Sequence, residues 1–348
     1  MAKTKDFLVD ISNRVFVSGH ETECGKVLID YFSEYTDSYD KDNLGSYIFK
    51  SNGTNERKIM MASHIDEIGL MVTDILDNGF LRFTGVGGVN PSSLVAQDIV
   101  VHAKTKLRGV IGIKPPHVTS AEEMTKAPKM DELFIDLGMS KENVEKQVKI
   151  GDIVSIFREA ESLDGNYITN KALDNRAGVA VMYEVSKELA KIGHKSNVYY
   201  AATVQEEVGL RGASASTYKV NPDIAIIVDV TFGKTPDMPP TINDLGAGGS
   251  ICFGSNLNQK LSKKLKSIAD ENNFKYQIET AIGRSGTDAA AVQVARAGVP
   301  CVMVSIPLRY MHTSVETINM NDVTSIGKLI AKFINEMDYT DLEDLLCF

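Results

Sequence analysis

Several short apolar runs in this chain lead to a residue that can bind a metal ion or carry a proton. The runs have the length of buried strands and cover residues 59–62, 197–204, 224–228 and 301–306. The polar residues after them are, in order, His64, the pair Glu206 and Glu207, Asp229, and His312. Open α/β sheets bind ligands outside the carboxyl ends of their strands. The pattern therefore predicts an α/β fold in which these side chains meet at one edge of a sheet.

The adjacent carboxylates Glu206 and Glu207 carry the most chemical information. They end a strand-like run and enter the turn-rich segment 209–212. Successive side chains on a strand point to opposite sides, so a bend there lets one carboxylate bind a metal while its neighbour faces a water molecule. One glutamate would then be a ligand and the other a general base. Paired glutamates are also common in solvated loops, so the pair indicates a site only together with the other residues.

Each of the other residues has a structural alternative when taken alone. Asp174 precedes a stretch with helical apolar spacing and could be an N-cap. His64 and His312 could be hydrogen-bonded structural histidines, and Asp229 could be a turn residue. Against these alternatives, the residues share one topological position. Two histidines, a bridging aspartate and terminal carboxylates suit two divalent ions about 3.5–4 Å apart.

The pattern of predicted elements changes twice along the chain. Residues 1–68 alternate helix and strand, the stretch from Gly69 to about Phe157 holds mostly short strands, and helix and strand alternate again to the end. We expect a discontinuous catalytic α/β domain of residues 1–68 and 161–348, with a β-rich barrel or sandwich inserted at 69–160. His64 precedes the insert and the other site residues follow it, so the insert is expected to serve assembly or access.

Composition favours a soluble cytoplasmic enzyme. The net charge of −9 leaves no basic footprint for nucleic acid or an anionic membrane. No apolar stretch approaches the roughly 20 residues that span a bilayer, and the first residues lack the apolar core of a signal peptide. The four cysteines, Cys24, Cys252, Cys301 and Cys347, show no C-x-x-C spacing and are expected to be reduced thiols.

Six motifs in order carry a family resemblance. They are His64-x-Asp66-Glu67, Leu173-Asp-Asn-Arg176, Gln205-Glu-Glu207, Val228-Asp-Val230, Gly286-Thr-Asp-Ala289 and Arg309-Tyr-Met-His312. With them the chain resembles the M42 family of metalloaminopeptidases, which includes glutamyl aminopeptidases and tetrahedral dodecameric peptidases. The resemblance runs through nearly the whole chain. It implies a mixed-sheet catalytic domain of the zinc-peptidase (phosphorylase/hydrolase-like) type with an inserted small β-barrel-like domain for dimerisation and assembly.

The resemblance also implies a role for each site residue. His64 and Asp229 would bind one metal, Glu207 and His312 the other, and Asp174 would bridge them. Glu206 would be the general base. Asp66 would accept the remaining ring N–H of His64, which fixes the tautomer of a ligand. The peptide bond between Asp174 and Asn175 would be cis.

The implied activity is removal of N-terminal residues from short peptides with a free N-terminus, using two zinc or cobalt ions per subunit. The implied assembly is a dodecamer built from dimers. The chain departs from the family pattern at residues 246–250, where relatives often have a lysine after the first glycine and a proline further on. Arg284 and Arg309 are candidates for selecting an acidic side chain, but the sequence does not fix the preferred N-terminal residue.

Three other functions remain open at this stage. A glycoside hydrolase would use two carboxyl groups roughly 5–10 Å apart and no metal, so two histidines among the site residues argue against it. A zinc-dependent deacylase would share the metal chemistry and is poorly separated by sequence. A non-catalytic metal-binding assembly protein would have no use for Glu206 as an unliganded base.

Overall fold

The computed structural model describes residues 1–120, 122–281, 283 and 286–337. Arg284 and Cys347 lie outside these residues. The described strands are β1 (Ser38–Lys41), β2 (Tyr47–Ser51), β3 (Lys58–His64), β4 (Gly69–Ile75), β5 (Leu81–Val86), β6 (Asp98–His102), β7 (Lys106–Gly112), β8 (Phe134–Asp136), β9 (Ile153–Ile156), β10 (Glu161–Ser162), β11 (Tyr167–Asn170), β12 (Asn197–Thr203), β13 (Ile224–Phe232), β14 (Ser250–Gly254), β15 (Gln277–Ala281), β16 (Cys301–Leu308) and β17 (Glu316–Asn319). The described α-helices are α1 (Ala2–Asn13), α2 (Cys24–Phe32), α3 (Lys141–Gln147), α4 (Leu173–Ile192), α5 (Arg211–Val220), α6 (Gln259–Glu271), α7 (Ala289–Val292) and α8 (Met320–Glu336).

An eight-stranded mixed sheet forms the centre of the molecule, in the order β1-β2-β12-β3-β13-β16-β14-β15. Its four middle strands, β12, β3, β13 and β16, run parallel to one another. Their carboxyl ends therefore meet at one edge of the sheet, as the sequence predicts. A smaller antiparallel sheet has the strand order β10-β11-β17. In sequence, β10 and β11 come between β9 and α4, and β17 directly precedes α8.

Alternating side chains of the middle strands enter two different cores. In β3, Ile59 and Met61 pack into a core with α1, α2, α4, α6 and α8, while Met60 and Ala62 pack into a second core with α5 and α7. This follows from the two-residue period of a strand. Because both faces of the sheet are covered, its strands are continuous apolar runs rather than alternating ones. That is why short apolar runs, and not alternation, marked them in the sequence.

A closed antiparallel barrel forms a third core. Its strands run in the order β4-β5-β8-β7-β6-β9, and its interior holds apolar residues such as Leu70, Phe83, Ile111 and Val154. The sequence allowed either a barrel or a sandwich here, and the barrel is what forms. All six of its strands fall between residues 69 and 160. The domain boundaries at 68 and 160 and the role of the barrel in assembly stay predictions.

Two amphipathic helices bury their apolar faces in the first core. Leu261, Leu265 and Ile268 are buried on α6, and α8 buries its apolar stripe in the same core. None of the described helices is long and apolar enough to cross a membrane. Cys24, Cys252 and Cys301 are buried free thiols.

Candidate metal centre

The sheet edge brings the predicted ligands together from five parts of the fold. His64 is the last residue of β3, Glu207 follows the end of β12, and His312 follows the end of β16. Asp229 lies inside β13 and is 5% exposed, so it is a strand residue and not a turn residue. Asp174 comes from the first turn of α4, which crosses the same edge. Each ligand is therefore held by a different buried element.

Asp174 is the central residue of the group. Its Oδ1 lies 3.2 Å from Nε2 of His64, and its Oδ2 lies 3.3 Å from Nε2 of His312. Burial alone would raise the pKa of Asp174, but the two imidazoles hold it below its ordinary value. Asp174 does not cap α4, because its side chain faces the two histidines. The peptide bond from Asp174 to Asn175 is cis, as the resemblance implied.

Ligand atoms of the described residues form three overlapping groups that could hold a metal ion. The groups are His64 with Asp174 and Asp229, Asp174 with Glu207 and His312, and His64 with Glu206 and Glu207, and within each the ligand atoms lie within 4.8 Å of one another. The first two groups share Asp174. In the second, Nε2 of His312 is also 3.3 Å from Oε1 of Glu207. This is the arrangement expected of two ions that share a bridging carboxylate.

The donor set fits divalent transition-metal ions. Imidazole nitrogen together with carboxylate oxygen suits zinc and its neighbours, whereas magnesium and calcium prefer oxygen alone. Two hydrogen bonds to neighbouring carboxylates raise the pKa of His312 to about 11. A cation bound at this place would replace that proton. The mixture of two histidines with three carboxylates thus fits a divalent transition-metal ion better than a purely oxygen-binding ion.

Glu206 lies beside the ligands without joining the two groups that share Asp174. Its Oε2 is 3.9 Å from Nε2 of His64, and the residue is 9% exposed. Burial, together with the nearby carboxylates of Asp229, Asp288 and Glu207, raises the pKa of Glu206 to about 9, against the opposing effect of His64. Positive charge bound at the centre would lower that pKa toward the range in which a carboxylate serves as a base.

Asp66 has a wider role than the sequence suggested. Its carboxylate Oδ1 lies 3.5 Å from Nδ1 of His64, while its backbone carbonyl is nearer at 3.2 Å. The two carboxylate oxygens accept the backbone N–H groups of Glu206 at 3.1 Å and Glu207 at 3.2 Å. Ser18 also donates its hydroxyl to this carboxylate. Asp66 therefore fixes the turn that aims the glutamate pair, as well as contacting His64.

Sequence reasoning missed Glu316. This residue is 2% exposed, and its two carboxylate oxygens accept the backbone N–H groups of Asp174 at 3.0 Å and His312 at 2.8 Å. It thereby joins the proposed bridging ligand to one of the terminal ligands. Glu316 starts the short strand β17, four residues after His312, and no motif or spacing in the sequence marks it.

The barrel also contributes to the centre through Gly87 and Gly88, which directly follow β5. The carbonyl of Gly88 lies 3.0 Å from Nδ1 of His312. This contact fixes the ring so that Nε2 faces Asp174. A Cβ atom at position 88 would be 2.8 Å from Nδ1 of His312, so only glycine fits. The insert thus contacts a predicted ligand, although every predicted ligand lies outside the insert.

Comparison with known proteins supports the resemblance. The family model for M42 glutamyl aminopeptidase matches residues 45–329. A lysyl aminopeptidase of Pyrococcus furiosus is 34% identical over 333 residues, covering 93% of this chain and 95% of its own length.

Two solved structures extend the comparison to the fold. A TET aminopeptidase from a marine sediment archaeon of the Thaumarchaeota has a TM-score of 0.94 and 31% identity, covering 99% of each chain. The TET1 peptidase of Pyrococcus horikoshii, described as assembling into a tetrahedron or a large octahedral shell, has a TM-score of 0.84 and 33% identity, covering 96% of this chain and all of its own. The chain therefore belongs to the M42 family of aminopeptidases.

Proposed function

We propose that this protein is an aminopeptidase that uses two divalent metal ions, zinc or cobalt, to remove N-terminal residues from short peptides. The observation that carries the proposal is the placement of Asp174 between Nε2 of His64 and Nε2 of His312. His64 and Asp229 would hold one ion, Glu207 and His312 the other, and Asp174 would bridge them. When bound, the ions would supply Lewis acidity toward the scissile carbonyl and an anchor for the free α-amine.

Glu206 would act as the general base and then as the general acid. Its carboxylate reaches the space between the ligand groups without being needed to complete either of those that share Asp174. It would take a proton from the attacking water and pass that proton to the leaving amine. Asp66 supports this role, because its carboxylate holds the backbone of Glu206 and so limits where the base can point.

The site geometry favours peptide hydrolysis over the glycosidase alternative. Every predicted carboxylate ligand lies in a group that contains a histidine, whereas glycosidases use two carboxyl groups that face each other across the substrate without a metal. A deacylase would share the metal centre, so substrate tests must separate it. We also propose that the barrel mediates assembly of a homo-oligomer, as the shell-forming relative suggests.

One experiment tests the activity. A peptide is offered with a free and with an acetylated N-terminus, after loading the protein with zinc or cobalt, and the products are followed by mass spectrometry. We expect sequential single-residue losses from the free form alone, because an acetylated nitrogen is a very poor metal ligand. Blocking the amine should reduce the rate on the order of a thousandfold or more. Comparable cleavage of the acetylated peptide, or internal fragments, would contradict an aminopeptidase.

Sedimentation or light scattering tests the assembly. We expect a mass well above the 38.0 kDa of one chain. A closed assembly is the usual outcome for soluble homo-oligomers, and the family resemblance implies twelve subunits. A stable monomer with full activity would rule out the proposed role of the barrel.

A further inference from the structure

A cavity of about 430 Å³ opens beside the candidate metal centre. It shares with the centre the side chains His64, Asp174, Glu206, Glu207, Asp229 and His312. Its remaining described walls come from the end of β13, from β15, from β16 and from the loops that follow β15 and β16. A substrate bound at the centre would therefore place a neighbouring side chain in this cavity.

Glu279 gives the cavity its charge. Apart from the residues of the candidate metal centre, it is the one charged side chain among the described residues that line the cavity. The other described lining residues are neutral, and several are apolar, including Phe232, Ala281 and Met303. Apolar walls with a carboxylate suit a long aliphatic stem that ends in a positive charge.

Among the described residues, one carboxylate oxygen of Glu279 has a hydrogen-bond partner and the other has none. Oε1 accepts a hydrogen bond from the hydroxyl of Thr231 at 2.7 Å. Oε2 is shielded from solvent and has no hydrogen-bond partner in the described structure. The hydroxyl of Ser305, another lining residue, is likewise buried and has no such partner. Buried polar atoms without partners are rare in native proteins. Both residues line the cavity, where a ligand with several N–H donors could pair with their polar groups.

Thr231 connects Glu279 to the metal centre. It lies two residues after Asp229 on β13, so both side chains are on the same face of the strand. Two residues of strand separate their Cα atoms by about 7 Å. The carboxylate of Glu279 is therefore held on the wall at a distance that a long side chain, and not a short one, would cover from a backbone anchored at the centre.

We infer that this cavity receives the side chain of the substrate's N-terminal residue and that Glu279 selects a cationic one, lysine or arginine. This inference rests on the proposed aminopeptidase function. The ammonium of lysine or the guanidinium of arginine would donate to the carboxylate of Glu279, which Thr231 keeps oriented. An acidic N-terminal residue would meet a like charge. Arg309, a candidate for binding an acidic side chain, instead donates its Nε to the carbonyl of Lys234 at 2.7 Å.

The test compares kcat/KM for lysyl, arginyl, leucyl and glutamyl anilides with the metal-loaded protein. We expect kcat/KM for the lysyl and arginyl substrates to exceed that for the leucyl substrate by about tenfold or more. A cationic side chain can form a charge-assisted hydrogen bond with Glu279, which a leucyl side chain cannot. Glu279→Gln should lower the lysyl-to-leucyl ratio by about tenfold or more, and Glu279→Lys should turn the preference toward the glutamyl substrate. Glu271→Gln, an exposed glutamate on α6, is the matched control and should leave the ratio unchanged.

The outcomes separate this inference from the proposed function. Turnover of leucyl or glutamyl substrates with no preference for lysyl or arginyl would overturn the inference and leave the aminopeptidase standing. An unchanged lysyl-to-leucyl ratio in Glu279→Gln would overturn it as well. Failure to hydrolyse any of the four substrates, or any peptide with a free N-terminus, would instead contradict the proposed function. Because the readout is a ratio between substrates, partial loss of folded protein in a variant does not imitate the result.

Discussion

Glu316 holds the backbone of Asp174, the proposed bridging ligand, through a hydrogen bond of 3.0 Å from the Asp174 N–H to Oε2. The other oxygen of the same carboxylate accepts the N–H of His312 at 2.8 Å. One side chain thus holds the backbones of two proposed ligands that are far apart in sequence. Burial raises the pKa of Glu316, and the two N–H donors oppose that effect.

The first prediction concerns this pairing. Glu316→Gln replaces one acceptor oxygen with an NH₂ group, which cannot accept the hydrogen bond of a backbone N–H. One ligand backbone should then lose its support, and metal affinity should fall about 10–100-fold, as for other groups that orient metal ligands. Chelator competition measures the affinity, and excess metal should restore much of the activity. The control is Glu161→Gln, an exposed residue of the same small sheet. Equal affinity in the two variants would contradict a positioning role.

The second prediction separates the roles of the paired glutamates. Glu206→Gln should lower turnover by orders of magnitude, because an amide cannot accept a proton from water. It should still bind nearly two metal ions per chain. Glu207→Ala should lose metal as well as activity. Elemental analysis of both variants distinguishes them, and an empty Glu206→Gln beside a fully loaded Glu207→Ala would mean that the roles are reversed.

How much of the candidate site could be predicted from the sequence depends on how far apart in sequence the contacting residues lie. His64, Asp229 and the glutamate pair could be predicted as site residues because each follows or ends a strand, and strand ends are visible in local apolar patterns. Glu316 and Gly88 were missed because they act through backbone groups brought close by tertiary folding. Gly88 meets His312 across 224 positions of sequence, and no local periodicity reports such a contact. The resemblance supplied ligand roles but gave no reason to single out these two supporting residues.

The third prediction concerns protons released on metal binding. Hydrogen bonds to Asp174 and Glu207 raise the pKa of His312 to about 11, and burial raises that of Glu206 to about 9. Both groups therefore carry a proton at pH 7 in the metal-free protein. Metal binding requires a neutral imidazole, so the proton of His312 must leave. Apparent affinity should rise with pH from 6 to 8.

Calorimetry checks this release. Titration of zinc in two buffers with different ionisation enthalpies should give different apparent binding enthalpies, with at least one proton released per chain. The variant His102→Gln is the control, since this histidine pairs with Ser155 in the barrel and should not alter the number. Identical enthalpies in the two buffers would show that no proton leaves.

The fourth prediction concerns stability and the residue beside Asp66. Glu67 is buried and accepts hydrogen bonds from Lys171 at 2.7 Å and Arg176 at 2.9 Å. Although burial would raise the pKa of Glu67, these two cations lower it. Glu67→Gln leaves two buried positive charges without their partner and should lower the free energy of unfolding by about 3–5 kcal/mol. Glu142→Gln, whose ion pair with Lys146 is exposed, should cost less than about 1 kcal/mol.

The same variant has a pH signature. Burial lowers the pKa of Lys171 to about 8 in the folded protein even with Glu67 present. Without Glu67 the folded-state pKa of Lys171 falls further, so the stability deficit of Glu67→Gln relative to the unchanged protein should narrow as the pH rises from about 6 to about 8, above which Lys171 is deprotonated in both folded proteins. Urea unfolding at several pH values measures this. A deficit that stays constant over that range would show that Lys171 is not the group left unpaired.

The last prediction concerns the contact between the barrel and the metal centre. In Gly88→Ala the new methyl carbon would lie 2.8 Å from Nδ1 of His312, so the ring or the loop must move and the hydrogen bond to the carbonyl of residue 88 is lost. That bond fixes which nitrogen of His312 faces Asp174. We therefore expect the ion proposed to bind His312 and Glu207 to be lost, while the ion proposed to bind His64 and Asp229 remains. Stepwise metal titration should then resolve one tight and one weakened site. Gly286→Ala, where no described atom would lie within 4 Å of the new methyl carbon, should keep two tight sites. Two tight sites in Gly88→Ala would show that the barrel loop does not orient His312.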